Sequence, residues 1–228
     1  MFERAKENNT TDNVESKAWD WSSVPANSWN KVSDEFLPVA LRRQNLGKQT
    51  VLDIGCGRGR HSLHLAEMEF KVTATDLSSE GITQLKEQAR EKNLEENITT
   101  LVCDMLDLSF NQGEFDCVLA FNSVYHTDYN GLKGIIAKIT NCLSDSGSLY
   151  ISFISKSNWA YRDPANHRMD EFTIIKTRGS EKGIPHTHLE YEDVINLLSD
   201  YRILKIQHIQ DFYPSGDSFH YFVEAEKK

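Results

Sequence analysis

Val51-Leu52-Asp53-Ile54-Gly55-Cys56-Gly57-Arg58-Gly59 decides the fold. An apolar run carries one acid, three glycines then alternate with other residues, and a helical pattern opens at Arg60. The stretch reads as a buried strand, a tight turn and a helix N-terminus. Glycine suits such a turn because it takes positive φ without a Cβ clash and lets a ligand approach the backbone. The helix N-terminus adds unpaired N–H donors and a partial positive charge.

Two cofactor classes use this corner. A dinucleotide site prefers G-x-G-x-x-G, with pyrophosphate seated on the helix. Here the spacing is G-x-G-x-G, and Asp53 stands two residues before Gly55. A carboxylate there repels two phosphates and suits a ligand with an amine and a sulfonium nearby. On these residues the chain resembles the class I S-adenosylmethionine (SAM) methyltransferase family, over about residues 48 to 226. The resemblance implies an α/β fold: a Rossmann-like, seven-stranded, mostly parallel sheet with the last strand antiparallel and helices on both faces. It divides the chain into an N-terminal arm and lid or docking helix (1–45) and a SAM-binding domain (46–228), with a cap inserted at about 155–188.

The chain carries a net charge of −9, which disfavours a nucleic-acid substrate. Apolar content is 39%, ordinary for a globule, and no apolar run is long enough to predict a membrane span. Met1 to Asn13 is polar, with no apolar core of a signal peptide. Cys56, Cys103, Cys117 and Cys142 form no C-x-x-C pair and read as reduced thiols, so a cytoplasmic setting is expected.

Residues 1 to about 17 read as a solvated arm. Trp19, Trp21 and Trp29 follow within eleven residues. They read either as a lid over the cofactor or acceptor, which makes Trp21 a candidate substrate contact, or as apolar anchors of a docked helix. Residues 28 to 45 have near-helical apolar spacing at Val32, Phe36, Val39 and Leu41, with Pro38 as a possible kink. A first helix is expected from Arg60 to Phe70. His61 and His64 share part of its face and read as solvent-facing, since no third metal ligand is evident.

Asp76 follows the second strand, 23 residues after Asp53, near where nucleotide-binding α/β folds place a ribose-binding acid. Its carboxylate can accept from both ribose hydroxyls, with Leu77 beside it; the alternative is a cap for the next helix. After the third strand, the resemblance gives Asp104 to the adenine amino group and Met105 to the ring face. Phe121 and Asn122 end the fourth strand, and ligands in open α/β sheets sit beyond the strands' carboxyl ends. That places Tyr125 and His126 beside the sulfonium methyl as catalytic candidates, His126 because an unperturbed histidine titrates near neutrality. Ser144-Asp145-Ser146-Gly147 ends the next helix, where the family often has Lys-Pro-Gly-Gly.

The segment Ser155 to His188 breaks the βα rhythm. Its aromatics, Trp159, Tyr161 and Phe172 among them, predict a folded cap with a short strand near Phe172 to Thr177. Six basic residues (Lys156, Arg162, Arg168, Lys176, Arg178, Lys182) face four acidic ones (Asp163, Asp170, Glu171, Glu181), which suggests an anionic acceptor. Tyr161, His186 and His188 are candidate acceptor contacts. The two histidines share a face if extended, and with His126 read as a metal site, a proton relay or simply an exposed strand pair. No metal is assigned. Pro214-Ser215-Gly216-Asp217 reads as the turn between the last two strands.

The expected function is methyl transfer from SAM to a small-molecule acceptor, by in-line displacement driven mainly by positioning. No Asn-Pro-Pro-Tyr-type motif follows the fourth strand; Asn122-Ser123-Val124-Tyr125 resembles the small-molecule branch. The Gly-Arg-His-Ser-Leu-His-Leu run is also similar to the tellurite-resistance type. A SAM-binding protein without turnover and an NAD(P)-dependent oxidoreductase are the alternatives, the latter opposed by the glycine spacing and Asp53.

Overall fold

The structure is a computed structural model and describes residues 16–21, 24–25, 28–213 and 216–228. The arm expected before residue 16, and Pro214-Ser215 of the final turn, lie outside the described residues.

The chain alternates strand and helix through its first half. β1 (Thr50–Ile54), α2 (Arg60–Glu67), β2 (Lys71–Asp76), α3 (Ser79–Glu91), β3 (Ile98–Val102), β4 (Phe115–Ala120), α4 (Tyr129–Cys142) and β5 (Leu143–Ser155) follow α1 (Leu37–Asn45). The cap holds α5 (Trp159–Arg162), β6 (His167–Arg168), β7 (Thr173–Ile175) and β8 (Pro185–Leu189). α6 (Tyr191–Leu197), β9 (Tyr201–Tyr213) and β10 (Gly216–Lys227) complete it.

Seven strands form the main sheet in the order β3-β2-β1-β4-β5-β10-β9. β1 to β5 are parallel, and β10 slots antiparallel between β5 and β9, as expected. The cap adds a small antiparallel ladder, β6-β7-β8, which joins the sheet where β8 pairs with the end of β5. No described helix is long and apolar enough to cross a membrane.

The largely apolar make-up of β1 and β4 follows from burial on both faces. Successive side chains point to opposite sides of a sheet. Thus Leu52, Ile54, Val118 and Ala120 pack with Leu132, Ile135 and Ile139 of α4. Val51, Cys117 and Leu119 pack on the other side with Phe36, Val39, Leu63 and Leu85. Each fully buried Leu or Ile contributes about 1.5–3 kcal/mol, so the two layers carry most of the stability.

Three local expectations change. The helix expected over 28 to 45 begins only at Leu37, and Pro38 occupies its first turn rather than kinking it. Proline is tolerated there because the first-turn N–H groups have no intrahelical partner. The first βα helix ends at Glu67, where Glu69 adopts φ 69° and turns the chain toward β2. Residues 144–147 belong to the irregular start of β5, whose register slips between Phe115↔Leu143 and Cys117↔Ser148, with Ser146 at φ 58°.

α1 is held by charge as well as by packing. Arg43, 5% exposed, meets the buried Glu224 of β10 at 2.5 Å, and Arg42 reaches the other carboxylate oxygen at 2.5 Å. The pairing ties residues before the first strand to the last strand of the chain.

Candidate active site

The C-terminal ends of β1, β2 and β4 open into one cleft of about 1090 Å³. Its wall includes Asp53, Gly55, Cys56, Gly57, Asp76, Leu77, Asp104, Met105, Phe121 and Asn122, together with Tyr125, His126 and Trp21. Tyr161, His186 and His188 are not among the residues lining it.

The glycine turn is built for close approach. Gly55 lies at φ 70°, and a Cβ there would fall 2.3 Å from that of Ser123. Ser123 in turn donates from Oγ to the Ile54 carbonyl at 2.7 Å, locking the loop after β4 against β1. Gly57 lies at φ 58°, and a Cβ there would meet the Trp21 ring at 2.4 Å. Both the positive φ and the crowding require glycine.

Three carboxylates stand at three strand ends. Asp53 is 2% exposed and accepts from Ser62 Oγ at 2.6 Å. Burial raises its pKa to about 7; the Ser62 hydrogen bond opposes this and the nearby Asp76 charge adds to it. Asp76 accepts from Gly57 N–H at 2.8 Å through one oxygen and from Ser78 N–H at 2.8 Å through the other. Burial raises its pKa, and those two hydrogen bonds partly counter the effect. Ser78 caps α3 through the Gly81 N–H, so that task does not fall to Asp76. Each Asp76 oxygen keeps a further lone pair for a hydroxyl. Asp104 accepts from Leu106 N–H at 2.8 Å, with Met105 next to it on the cleft wall.

An adenosyl amino acid fits these groups. Asp53 and Arg60 set opposite charges near one another; Arg60 rests 5.3 Å from the Phe121 ring centre, and no carboxylate among the described residues pairs with it. That combination matches an ammonium and a carboxylate on one ligand. The carboxylates of Asp76 and Asp104 each keep acceptor capacity beyond their backbone hydrogen bonds, suited to a diol and an exocyclic amine respectively.

Trp19, Trp21 and Trp29 all line the cleft. They pack with ring centres 5.5–6.2 Å apart. Arg58 fastens their segment, donating to the carbonyls of Trp21 (2.7 Å), Val24 (2.8 Å) and Pro25 (3.0 Å) while stacking on the Trp21 ring. Trp21 therefore meets the glycine turn, and Trp19 comes within 6.3 Å of the His126 ring.

At the opposite end, the loop after β4 meets the cap. Thr187 N–H donates to the Tyr125 carbonyl at 2.8 Å, and Thr187 Oγ1 to the Thr127 carbonyl at 2.6 Å. These bonds bring His126 and His186 to 4.8 Å between ring centres. Sequence reasoning expected His126 to titrate near neutrality; burial, aided by the Lys176 charge, pushes it down to about 3. The ring is neutral at physiological pH and a weak base. Tyr125 is held above the usual tyrosine range by the same burial.

Two further expectations about histidines are corrected. His186 and His188 are fully buried, not an exposed pair, because β8 runs between β7 and the β4 loop and is covered on both faces. His61 is 5% exposed rather than solvent-facing, wedged between Phe36 (5.0 Å) and Phe121 (4.8 Å). Tyr161 spends its hydroxyl on the Glu171 carbonyl and carries Arg168 over its ring. Residues on the wall that sequence reasoning did not single out include Arg60, Asn158 and His220, whereas Trp159, Lys176 and Glu181 were expected only as parts of the cap. Of these, only Arg60 sat next to a motif that could have signalled it.

Residues 51–147 match a family model described as a methyltransferase domain. A ubiquinone biosynthesis O-methyltransferase of Rickettsia akari is 26% identical over 156 residues, 62% of this chain and 60% of that protein. The chain spans 35% of the length of another curated relative, from Bacillus subtilis. Among solved structures, a SAM-dependent methyltransferase of Methanosarcina mazei superposes with a TM-score of 0.70 at 22% identity, covering 86% of this chain and 98% of that one. The 1,6-didemethyltoxoflavin-N1-methyltransferase of Burkholderia thailandensis, solved with that compound and S-adenosylhomocysteine (SAH), gives 0.63 at 19% identity, covering 86% and 79%.

Proposed function

We propose that the chain is a class I SAM-dependent methyltransferase, a reading supported by the methyltransferase-domain match over residues 51–147, and that it moves the methyl group of SAM onto a small molecule. The observation that carries this reading is the shared wall: Asp53, the glycine turn, Asp76 and Asp104 border the same cleft as Tyr125 and His126. Cofactor groups and candidate acceptor groups thus meet end to end.

When bound, SAM supplies an electrophilic methyl on a good leaving group. Asp53 holds the amino group, and the amine in turn keeps Asp53 ionised. Arg60 holds the carboxylate. Asp76 accepts from the ribose hydroxyls, and Asp104 from the adenine amine. Trp19, Trp21 and Trp29 act as a lid that excludes water, the role proposed for the described part of residues 1–45. Tyr125 and His126 shape the acceptor's side. His126, neutral and weakly basic, stands at the acceptor's end of the cleft. Positioning of this kind supplies several kcal/mol, about 7–11 at best.

The surplus of cap cations suggests an anionic acceptor, and Lys176 and Arg178 do line the cleft. Both already face carboxylates, Lys176 at Glu181 and Arg178 at Asp163. An anionic acceptor group therefore exchanges for Asp163 at Arg178, and Tyr161, His186 and His188 support the cap from behind.

Calorimetry with SAH and with NAD tests the cofactor. Incubation of the protein and SAM with a metabolite extract, read by mass spectrometry, tests turnover. SAH binding together with a methylated product is the expected result. NAD binding without SAH binding would overturn the reading.

A further inference from the structure

His126, Glu181 and His186 converge at the seam between the β4 loop and the cap. Their nearest ligand atoms all lie within 4.8 Å of one another. His186 Nε2 stands 3.4 Å from Glu181 Oε1, and His126 Nε2 stands 3.7 Å from the same oxygen. Both nitrogens are buried, and neither has a hydrogen-bond partner among the described residues. The other ring nitrogen of His186, Nδ1, lies 2.9 Å from the Ile184 carbonyl. A carbonyl only accepts, so Nδ1 carries the proton and Nε2 presents a bare lone pair. A lone pair aimed at a carboxylate oxygen is repulsive unless a cation sits between them.

We propose that His126, Glu181 and His186 form a binding site for a divalent first-row transition metal, with zinc as its simplest occupant. Two imidazoles and one carboxylate suit zinc, and three protein ligands with an open position mark a catalytic rather than a structural site. Bonds of about 2.0–2.1 Å set the edge of a coordination tetrahedron at roughly 3.3 Å, and the two separations from Oε1 nearly match it. The Ile184 carbonyl supplies the outer contact that fixes a liganding imidazole in one tautomer and orientation. Hydrogen bonds from the Thr187 N–H and hydroxyl to carbonyls of the β4 loop hold the two histidines together before any ion arrives.

Lys176 is the competitor. Its ammonium pairs with Glu181 through Oε2, leaving Oε1 toward the histidines. It neutralises the carboxylate but does not fill the space between the imidazoles. His188, whose Nε2 is equally unpartnered, falls outside the converging set.

His126 and Glu181 line the cleft, so the open position borders it. Resting on the transferase reading, this narrows the acceptor to a molecule with a hydroxyl or thiol. The metal lowers the pKa of that group, whose proton passes to water. The freed lone pair then bonds to the methyl carbon as the carbon–sulfur bond breaks, its electrons remaining on the sulfur of SAH.

The test uses untagged, metal-stripped full-length protein, dialysed against zinc sulfate and measured by elemental analysis, with SAH calorimetry on the same samples. One zinc per chain is expected. His186→Ala and Glu181→Gln each weaken binding about a hundred-fold or more, since even outer-shell changes cost 10–100-fold. Glu181→Gln alters a turn residue and spares the core if His186→Ala fails to fold. Lys176→Met, which removes a like charge, tightens zinc binding about tenfold. No stoichiometric zinc, or zinc that Glu181→Gln retains, overturns the site. Absence of SAH binding alone overturns only the cofactor reading and leaves the zinc result to be judged by itself.

Discussion

Asp53→Asn should make the ligand-free protein more stable while weakening its hold on SAM. Asp53 has its pKa raised from 3.8 to about 7, chiefly by burial. About 3 units at 1.36 kcal/mol each means that keeping it charged costs the folded state about 4 kcal/mol above pH 7. Water entering the open cleft reduces this to about 2–4 kcal/mol. Between the two pKa values the native state binds more protons than the unfolded chain, so stability falls as pH rises from about 4 to 7 and then levels off. Asparagine still accepts from Ser62 and carries no charge. For a chain of this size the gain amounts to a melting point higher by roughly 4–16 °C at pH 8. The gain shrinks to about 1 kcal/mol near pH 4.5, where wild-type Asp53 is already protonated. Melting by calorimetry at the two pH values measures it. In parallel, wild-type SAM affinity should fall as pH drops below about 7, because the amine binds the ionised carboxylate, and this dependence should be absent in the variant. A variant no more stable than wild type at pH 8, or a gain that does not vary with pH, refutes the reasoning.

Asp76→Ala loses contact with both ribose hydroxyls. Charged hydrogen bonds contribute about 1.5–3 kcal/mol each, so SAM should bind about a hundred-fold or more weakly by calorimetry, with the circular dichroism of a folded protein. His126→Ala should lower kcat more than it changes SAM affinity. With His126 down at about 3, the wild-type pH–rate profile should show no histidine inflection between about pH 5 and 9. Arg58→Ala removes three bonds to the carbonyls of the Trp21–Pro25 segment; limited proteolysis should then cut there faster, and SAH should no longer slow it to the wild-type rate. Arg43→Met leaves Glu224 buried with only the half-exposed Arg42 beside it. Breaking such a pair should cost roughly 2–4 kcal/mol, read as a fall in melting temperature.

The parallel half of the fold was legible because burial on both faces writes itself as short, mostly apolar runs punctuated by glycine. Asp53, Asp76 and Asp104 were legible for a related reason. They stand one residue inside or at the end of such runs, where a lone acid has no packing role. The tryptophans were visible as a cluster, but sequence alone could not place Trp21 on Gly57, since that contact depends on Arg58 folding the segment back. α1 was misjudged because Phe36 and Val32 have helical spacing without helical structure; Phe36 enters the core as the residue preceding the helix. The cap was least legible. Pro185-His186-Thr187-His188-Leu189 alternates like an edge strand with one wet face, yet every residue in it is buried. Its second face is covered by the β4 loop, some sixty residues earlier in the chain, and no local pattern encodes that meeting.

The electrostatics of the cleft separate the two cofactor classes more sharply than the glycine spacing does. Asp53 and Asp76 both have raised pKa values from desolvation, and Asp76 adds to the shift at Asp53. The corner therefore holds two carboxylates that resist ionising together. A ligand bearing an ammonium and a sulfonium relieves that strain and returns as binding energy what the fold gave up in burying them. A dinucleotide brings two phosphates to the same corner and adds to the repulsion. Arg60 does not change the balance, because one guanidinium set against two acids still leaves the corner anionic. The same logic explains why the fold tolerates Asp53 inside a strand whose neighbouring residues, Leu52 and Ile54, are apolar and fully buried. Its cost is felt only while the site is empty, and ligand binding to the native state alone offsets it, by about 2.7 kcal/mol when the ligand is at 100 times its Kd.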